Sequence, residues 1–311
     1  MKSKKTHLDI YQYVTDRIIT ALENGVRPWI KPWNNVCTLP QNVSGRYYNG
    51  INILLLQLTA IEKGYTQSKW ISVKKINKLG GKIRKGEKAT KIVNYHPISK
   101  EKCDENGQVI LDENGYPEIE HFAFITAFSV FNIEQCENLP ENLFDKPQTS
   151  PSDLQKIAKV KQITSGMNVK INHGNNNQAY YKPSTDSIIM PNRSQFDTEQ
   201  NYYSVLLHEI VHATGHKDRL NRDGITSTKA KFGNQIYAFE ELIAEMGSAF
   251  LCAALGFDTI SNHANYIDSW LKILKSDKKA IFRASGHARR AIDYLLQIEE
   301  IMQLQEQYTA A

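Results

Sequence analysis

The run His208-Glu209-Ile210-Val211-His212 constrains what this chain can fold into more than any other stretch of its length. It lies between Thr198 and Thr214, where Val205, Leu206, Ile210, Val211 and Ala213 recur at helical spacing and Gly215 follows as a stop. On a helix, residues i and i+4 share one face, so both imidazoles reach a single tetrahedral ion. Glu209 projects to the side where an attacking water would sit, which is the place of a proton acceptor in metal-assisted hydrolysis. These donors suit one zinc ion per chain, or another divalent metal.

A catalytic zinc takes three protein ligands, and two residues compete for the third place. Glu241 lies on a second helix expected over Tyr237 to Leu255, ended by Gly256, with Glu245 one turn further to accept a ring N–H from His208 or His212. Asp218 is the alternative, because His208 to Asp218 also fits an HExxHxxGxxD spacing. Glu241 is favoured, since one acidic helix then supplies both a ligand and its support. Tyr237, His263 and Tyr266 are candidates to polarise a substrate carbonyl.

The formal net charge of +5 hides a strong asymmetry. Residues 1–100 carry 18 Lys+Arg against 5 Asp+Glu, residues 101–150 carry 2 against 11, and residues 151–311 carry 18 against 17. The basic first segment also holds three of the four tryptophans. Cations that track phosphates, interleaved with rings that stack on unpaired bases, are what a single-stranded DNA site needs. The candidates are Arg27, Trp29, Lys31 and Trp33 on a proline-spaced loop, Arg46, Tyr47, Tyr48 and Trp70, and the basic run Lys82, Arg84, Lys85 and Lys88.

Helices are expected over Leu8–Leu22, Ile51–Lys63 and Lys74–Leu79, and a strand over Lys69–Val73. A basic hairpin over residues 82–88 should lead into a strand, Ala89–His96, and His121–Phe131 reads as a buried strand. Two Asp-Glu-Asn-Gly turns, at 104–107 and 112–115, make residues 101–120 a solvated acidic excursion. Pro140, Pro147 and Pro151 mark a linker. The α+β chain therefore divides into a mixed α/β domain (1–140), a Pro-rich linker (141–153) and a metal-bearing domain (154–311), with room for the halves to fold separately. A helix at Leu154–Ser165, a strand near Asn168–Asn172 and a hairpin over Ala179–Met190 precede the HExxH helix. Cys37, Cys103, Cys136 and Cys252 form no CxxC pair, so no thiolate zinc knuckle is readable. The longest mainly apolar stretch, Ala249–Phe257, falls far short of the roughly 20 residues a membrane span needs, and a cytoplasmic location in a bacterial host is expected.

In its motifs the chain resembles the ArdC-type antirestriction proteins of plasmids, phages and other mobile elements. The resemblance rests on Arg27-Pro28-Trp29 through Trp33-Asn34, Gly45 to Asn52, Trp70 with Val73-Lys74, and Gly80-Gly81 through Glu87. In the second half it rests on His208–His216 with Arg219–Arg222, on Glu240–Glu245, and on Tyr266–Leu271. It implies an N-terminal single-stranded DNA-binding domain, related to that of TraC-type primases, joined to a zincin-like metallopeptidase domain. It also implies protection of incoming DNA from host restriction, with single-stranded DNA and a host restriction-related protein as partners and no membrane. Two rival functions stay open: a non-enzymatic DNA-binding shield with a structural metal, and a cytosolic regulatory metallopeptidase.

Overall fold

The computed structural model describes residues 9–30, 39–144, 152–231, 233–257 and 266–309. The first helix, α1 (Ile10–Glu23), is capped by the Asp9 side chain, which accepts from Gln12 N. A short strand, β1 (Gln41–Asn42), precedes α2 (Ile51–Lys63), which ends on Gly64 in the left-handed region that its C-cap requires. Then come β2 (Lys69–Ile71), α3 (Val73–Lys78), β3 (Lys82–Ile83), β4 (Thr90–Glu101), β5 (Ile119–Asn132) and β6 (Cys136–Glu137). The main sheet has the order β1-β2-β5-β4.

Two expectations for this half give way. Strand β3 pairs with β6, Ile83 opposite Cys136, so the basic segment does not fold back on the strand that follows it. Strand β5 is not buried along its length. It pairs with β4 in a long antiparallel hairpin, from Thr90 opposite Val130 to Glu101 opposite Ile119. Strand β2 meets β5 only at Asn132 and Phe131. Beyond that contact the hairpin exposes Phe122, Phe124 and Phe128, at 44%, 48% and 51%. Turns at Gly107 and Gly115 close its acidic tip, as the two Asp-Glu-Asn-Gly sequences suggest.

The second half opens with α4 (Asp153–Met167), started by a Ser152/Gln155 capping box. Strands β7 (Lys170–Gly174), β8 (Tyr180–Lys182) and β9 (Ser187–Pro191) form a sheet of order β7-β9-β8, with β7 and β9 parallel. Helices α5 (Glu199–Ala213), α6 (Asp223–Thr226), α7 (Gln235–Leu255), α8 (Ile267–Ser276) and α9 (Ala280–Thr309) follow.

The two halves share a core. One hydrophobic cluster contains Val14, Ile18, Trp29, Leu54 and Leu55 from the first half together with Leu207, Leu242, Trp270 and Ala284 from the second. Helix α1 lies on α8 and α2 on α9. Thr15 Oγ1 donates to the Lys278 carbonyl at 2.7 Å, and the Tyr11 and Phe282 rings meet edge to face at 4.8 Å. The proline-marked segment thus joins two parts of one core, although residues 145–151 lie outside the described residues.

Candidate metal centre and nucleic-acid surface

Helix α5 starts where the Thr198 side chain accepts from Asn201 N, with Glu199 in its first turn favourably placed at the positive end of the helix dipole. Helix α7 starts at Asn234, whose side chain accepts from Tyr237 N, and stops at Gly256 in the left-handed region. The two helices approach closely because Gly247 faces Val211. A Cβ at that position would stand 2.8 Å from Val211 Cγ1, inside contact distance. This approach brings the face carrying Glu241 onto the face carrying the two histidines.

The three donors sit in a tight triangle. His208 Nε2 and His212 Nε2 are 3.1 Å apart. Glu241 Oε2 lies 3.6 Å from His208 Nε2, and its Oε1 lies 3.4 Å from His212 Nε2. A tetrahedral ion with bonds of about 2.0–2.1 Å spaces its ligands by roughly 3.3–3.4 Å, so these edges match a shared ion. Two imidazole nitrogens facing each other beside a carboxylate have no better reason to converge. All three residues are buried, as is Glu209 on the same helix. Asp218 does not join them; its side chain is 73% exposed and turns to His216 Nδ1 at 3.4 Å.

The ring N–H of His212 finds Glu240. His212 Nδ1 stands 3.3 Å from Glu240 Oε1, and Arg222 grips the same carboxylate with Nη2 at 2.6 Å and Nε at 3.0 Å. The guanidinium also donates to Thr214 Oγ1 and the Val211 carbonyl, each at 2.7 Å, so Arg222 ties the end of α5 to α7. Such a partner fixes the orientation and tautomer of a ligating histidine. The sequence signal for this role of Glu240 is its place beside Glu241 together with the arginines at 219 and 222. Glu245 is buried one turn further along.

Burial opposes charge on His212, but the carboxylates of Glu241, Glu240 and Glu209 outweigh it and push its pKa up to about 10. Burial likewise opposes charge on Glu241, yet the two histidines hold its carboxyl well below the usual carboxylate range. The Tyr237 hydroxyl, raised by burial and by the charge of Glu241, lies beside the site with its ring 6.2 Å from that of Tyr266. His263 lies outside the described residues.

The nucleic-acid candidates divide differently. Arg46, Tyr47, Lys82, Arg84, Lys85 and Lys88 are exposed, and Arg27 is partly buried. Tyr48 is half-buried, and burial pushes its hydroxyl up to about 12. Trp29 and Trp70 offer no ring to a base. Each is 1% exposed, Trp29 edge-on to Trp270 at 5.6 Å and Trp70 edge-on to Tyr65 at 6.1 Å. Large apolar rings gain more from the core than from solvent, and the packing of α8 supplies a partner that local sequence could not reveal. Lys31 and Trp33 lie outside the described residues.

A helix pair bearing HExxH and a facing glutamate, set beside a small mixed sheet, defines the second half as a zincin-like metallopeptidase fold. A zincin-like metallopeptidase family model matches residues 158–287, and the model of the N-terminal domain of anti-restriction factor ArdC matches residues 8–131. The crystal structure of the antirestriction ArdC protein from the R388 plasmid superposes with a TM-score of 0.76 at 36% identity in its metal-free form, covering 94% of this chain and 98% of that one. Its Mn(II)-bound form gives 0.74 at 35% identity, with the same coverage. The chain belongs to the ArdC antirestriction family.

Two curated relatives are DNA primase TraC proteins of Escherichia coli, 37% and 35% identical over 96% and 95% of this chain. This chain spans only 28% and 20% of their length. The uncharacterized protein y4eC of Sinorhizobium fredii is 34% identical over 94% of both chains. Among the described residues no helix is long and apolar enough to cross a membrane.

Proposed function

We propose that the first half binds single-stranded DNA, and that His208, His212 and Glu241 hold a zinc ion in a peptidase-type site that protects incoming DNA from host restriction in the bacterial cytoplasm. The observation that carries this reading is the triangle of three buried donors with Glu209 beside it. A closed structural zinc site takes four protein ligands, often cysteines, whereas among the described residues the cluster has three donors and none is Cys. When bound, the ion would polarise a scissile carbonyl and make water a stronger nucleophile. Glu209 is placed to take a proton from the attacking water and return it to the leaving amine. Glu240, gripped by Arg222, keeps His212 oriented, and the Tyr237 hydroxyl stays protonated beside Glu241 and so can donate to a developing oxyanion. A host restriction-related protein met at the entering DNA is the substrate class that joins the two halves.

The burial of the ligands favours one other reading, a DNA-binding shield whose metal only fastens α5 to α7. Glu209→Gln separates the two. It removes the proton acceptor and keeps both histidines, so metal content and single-strand affinity should persist. Loss of restriction protection in that variant supports hydrolysis. Full protection by a metal-loaded, DNA-binding variant selects the shield.

A further inference from the structure

Strand geometry gives the β4–β5 hairpin two faces. Directly paired residues share a face and alternate residues return to it, so Phe122, Phe124 and Phe128 line one side with their partners Ile98, His96 and Ile92. Ile92 is buried at the root of the hairpin, beside the Trp70 cluster against which Tyr48 packs. Outward from there the three phenylalanine rings and Ile98 are open to solvent. A two-stranded ribbon with an uncovered aromatic face gains little from that exposure, and such a patch marks a place where something docks.

We infer that Phe122, Phe124 and Phe128, with His96, form a base-stacking platform for single-stranded DNA; the assignment rests on the reading of the first half as a DNA-binding part. Three observations favour this occupant. The face already supports flat stacking, since the His96 and Phe124 rings lie 4.6 Å apart at 15°, with His96 Nε2 held by Thr126 Oγ1 at 2.9 Å. Rings two residues apart on a strand are spaced by about 6.6–6.8 Å, roughly twice the 3.4 Å rise of a duplex. Phe122 and Phe124 have this spacing, and Phe128 lies a further four residues on, past Thr126, so only an extended strand with unpaired bases can reach from ring to ring. Finally, charge is complementary at the root, where Lys88 and Lys91 are exposed within the basic first hundred residues. Lys91, with Ser129 to which its Nζ donates at 2.7 Å, belongs to the opposite face of the hairpin root and adds to the field there rather than to the platform itself.

The other end of the hairpin repels phosphate. Residues 101–120 carry seven carboxylates against one lysine. The platform is thus bounded, a track of about three bases that starts at the basic root and stops short of the acidic tip. With Trp29 and Trp70 buried, these phenylalanines supply the rings that those tryptophans cannot.

The test uses the full chain and fluorescence anisotropy with a labelled oligo(dT) and a duplex of equal length. Phe122→Ala/Phe124→Ala should lower single-strand affinity at least tenfold, leave the slope of log affinity against log salt unchanged, and leave the melting temperature near that of the wild type. Phe124→Tyr, which keeps a ring, should stay within about threefold of the wild type. Wild-type binding with the double variant within twofold of it overturns the platform and leaves the stripe to a protein partner. A wild type that does not bind oligo(dT) at all overturns the DNA reading itself, which is a different failure.

Discussion

The candidate metal centre and the aromatic face of the β4–β5 hairpin meet opposite demands with opposite structures. At the metal centre each donor is buried, and Glu240 with Arg222 holds the orientation of His212. On the hairpin Phe122, Phe124 and Phe128 stand in solvent, on the face opposite the one that carries Val93 into the core. An ion accepts only narrow geometry, so its site must be built before it arrives. Stacked bases tolerate small displacements, so their site can be a surface. The difference teaches where a substitution acts: through order already present at the first site, through contact yet to be made at the second.

The strongest way to break the comparison is His212→Ala. It should abolish stoichiometric metal, measured by elemental analysis, and leave oligo(dT) affinity unaltered. Retained metal would mean the triangle is not the site. Next is Trp29→Ala, which should cost about 3–5 kcal/mol of unfolding free energy by denaturant titration, without changing DNA affinity per folded molecule. A selective loss of DNA binding at unchanged stability would return Trp29 to the surface role its sequence suggests. Glu240→Gln keeps the volume and weakens the acceptor, so metal affinity should fall about 10–100-fold by competition titration.

Proton linkage sharpens the contrast further. Metal-free His212 holds its proton up to about pH 10, so a metal must displace that proton. Apparent metal affinity should rise about tenfold per unit from pH 7 to 9, with about one proton released in calorimetry. Stability runs the other way. A raised histidine contributes stability that is fully present below the unfolded value near 6.5 and is lost as pH rises through about 10, so the metal-free melting temperature should fall across that window. No proton release would contradict this account. Smallest of all, Arg84→Glu should leave stability within about 0.5 kcal/mol and reduce the salt slope of DNA binding by about one; an unchanged slope would place Arg84 off the phosphate path.

Local rules made much of the chain legible. The five-residue HExxH run fixes its own geometry once a helix is granted, and Ile51–Lys63 with Gly64 was readable as a helix and its stop because both signals are local. The third ligand was narrowed to Glu241 or Asp218 by spacing, and only the packing of α7 on α5 chooses between them. The role of Glu240 is not legible locally, because it depends on Arg222, 18 residues away in sequence and joined through tertiary structure. Trp29 and Trp70, expected at a nucleic-acid surface, are buried, and Phe122, Phe124 and Phe128, expected in a buried strand, are exposed, for one reason. Apolar rings look alike in sequence, and whether a neighbour covers them is settled by elements far away, here α8 for Trp29 and the early end of β2 for β5.

The core shared by α1, α2, α8 and α9 has a consequence for descent. A gene that carried one half without the other would encode a product with Val14, Ile18 and Leu54 on one side, or Trp270 and Ala284 on the other, stripped of their cover. Recombination should therefore move the two halves as a single cassette. The TraC primases fit that expectation, for they match 96% and 95% of this chain within proteins several times its length.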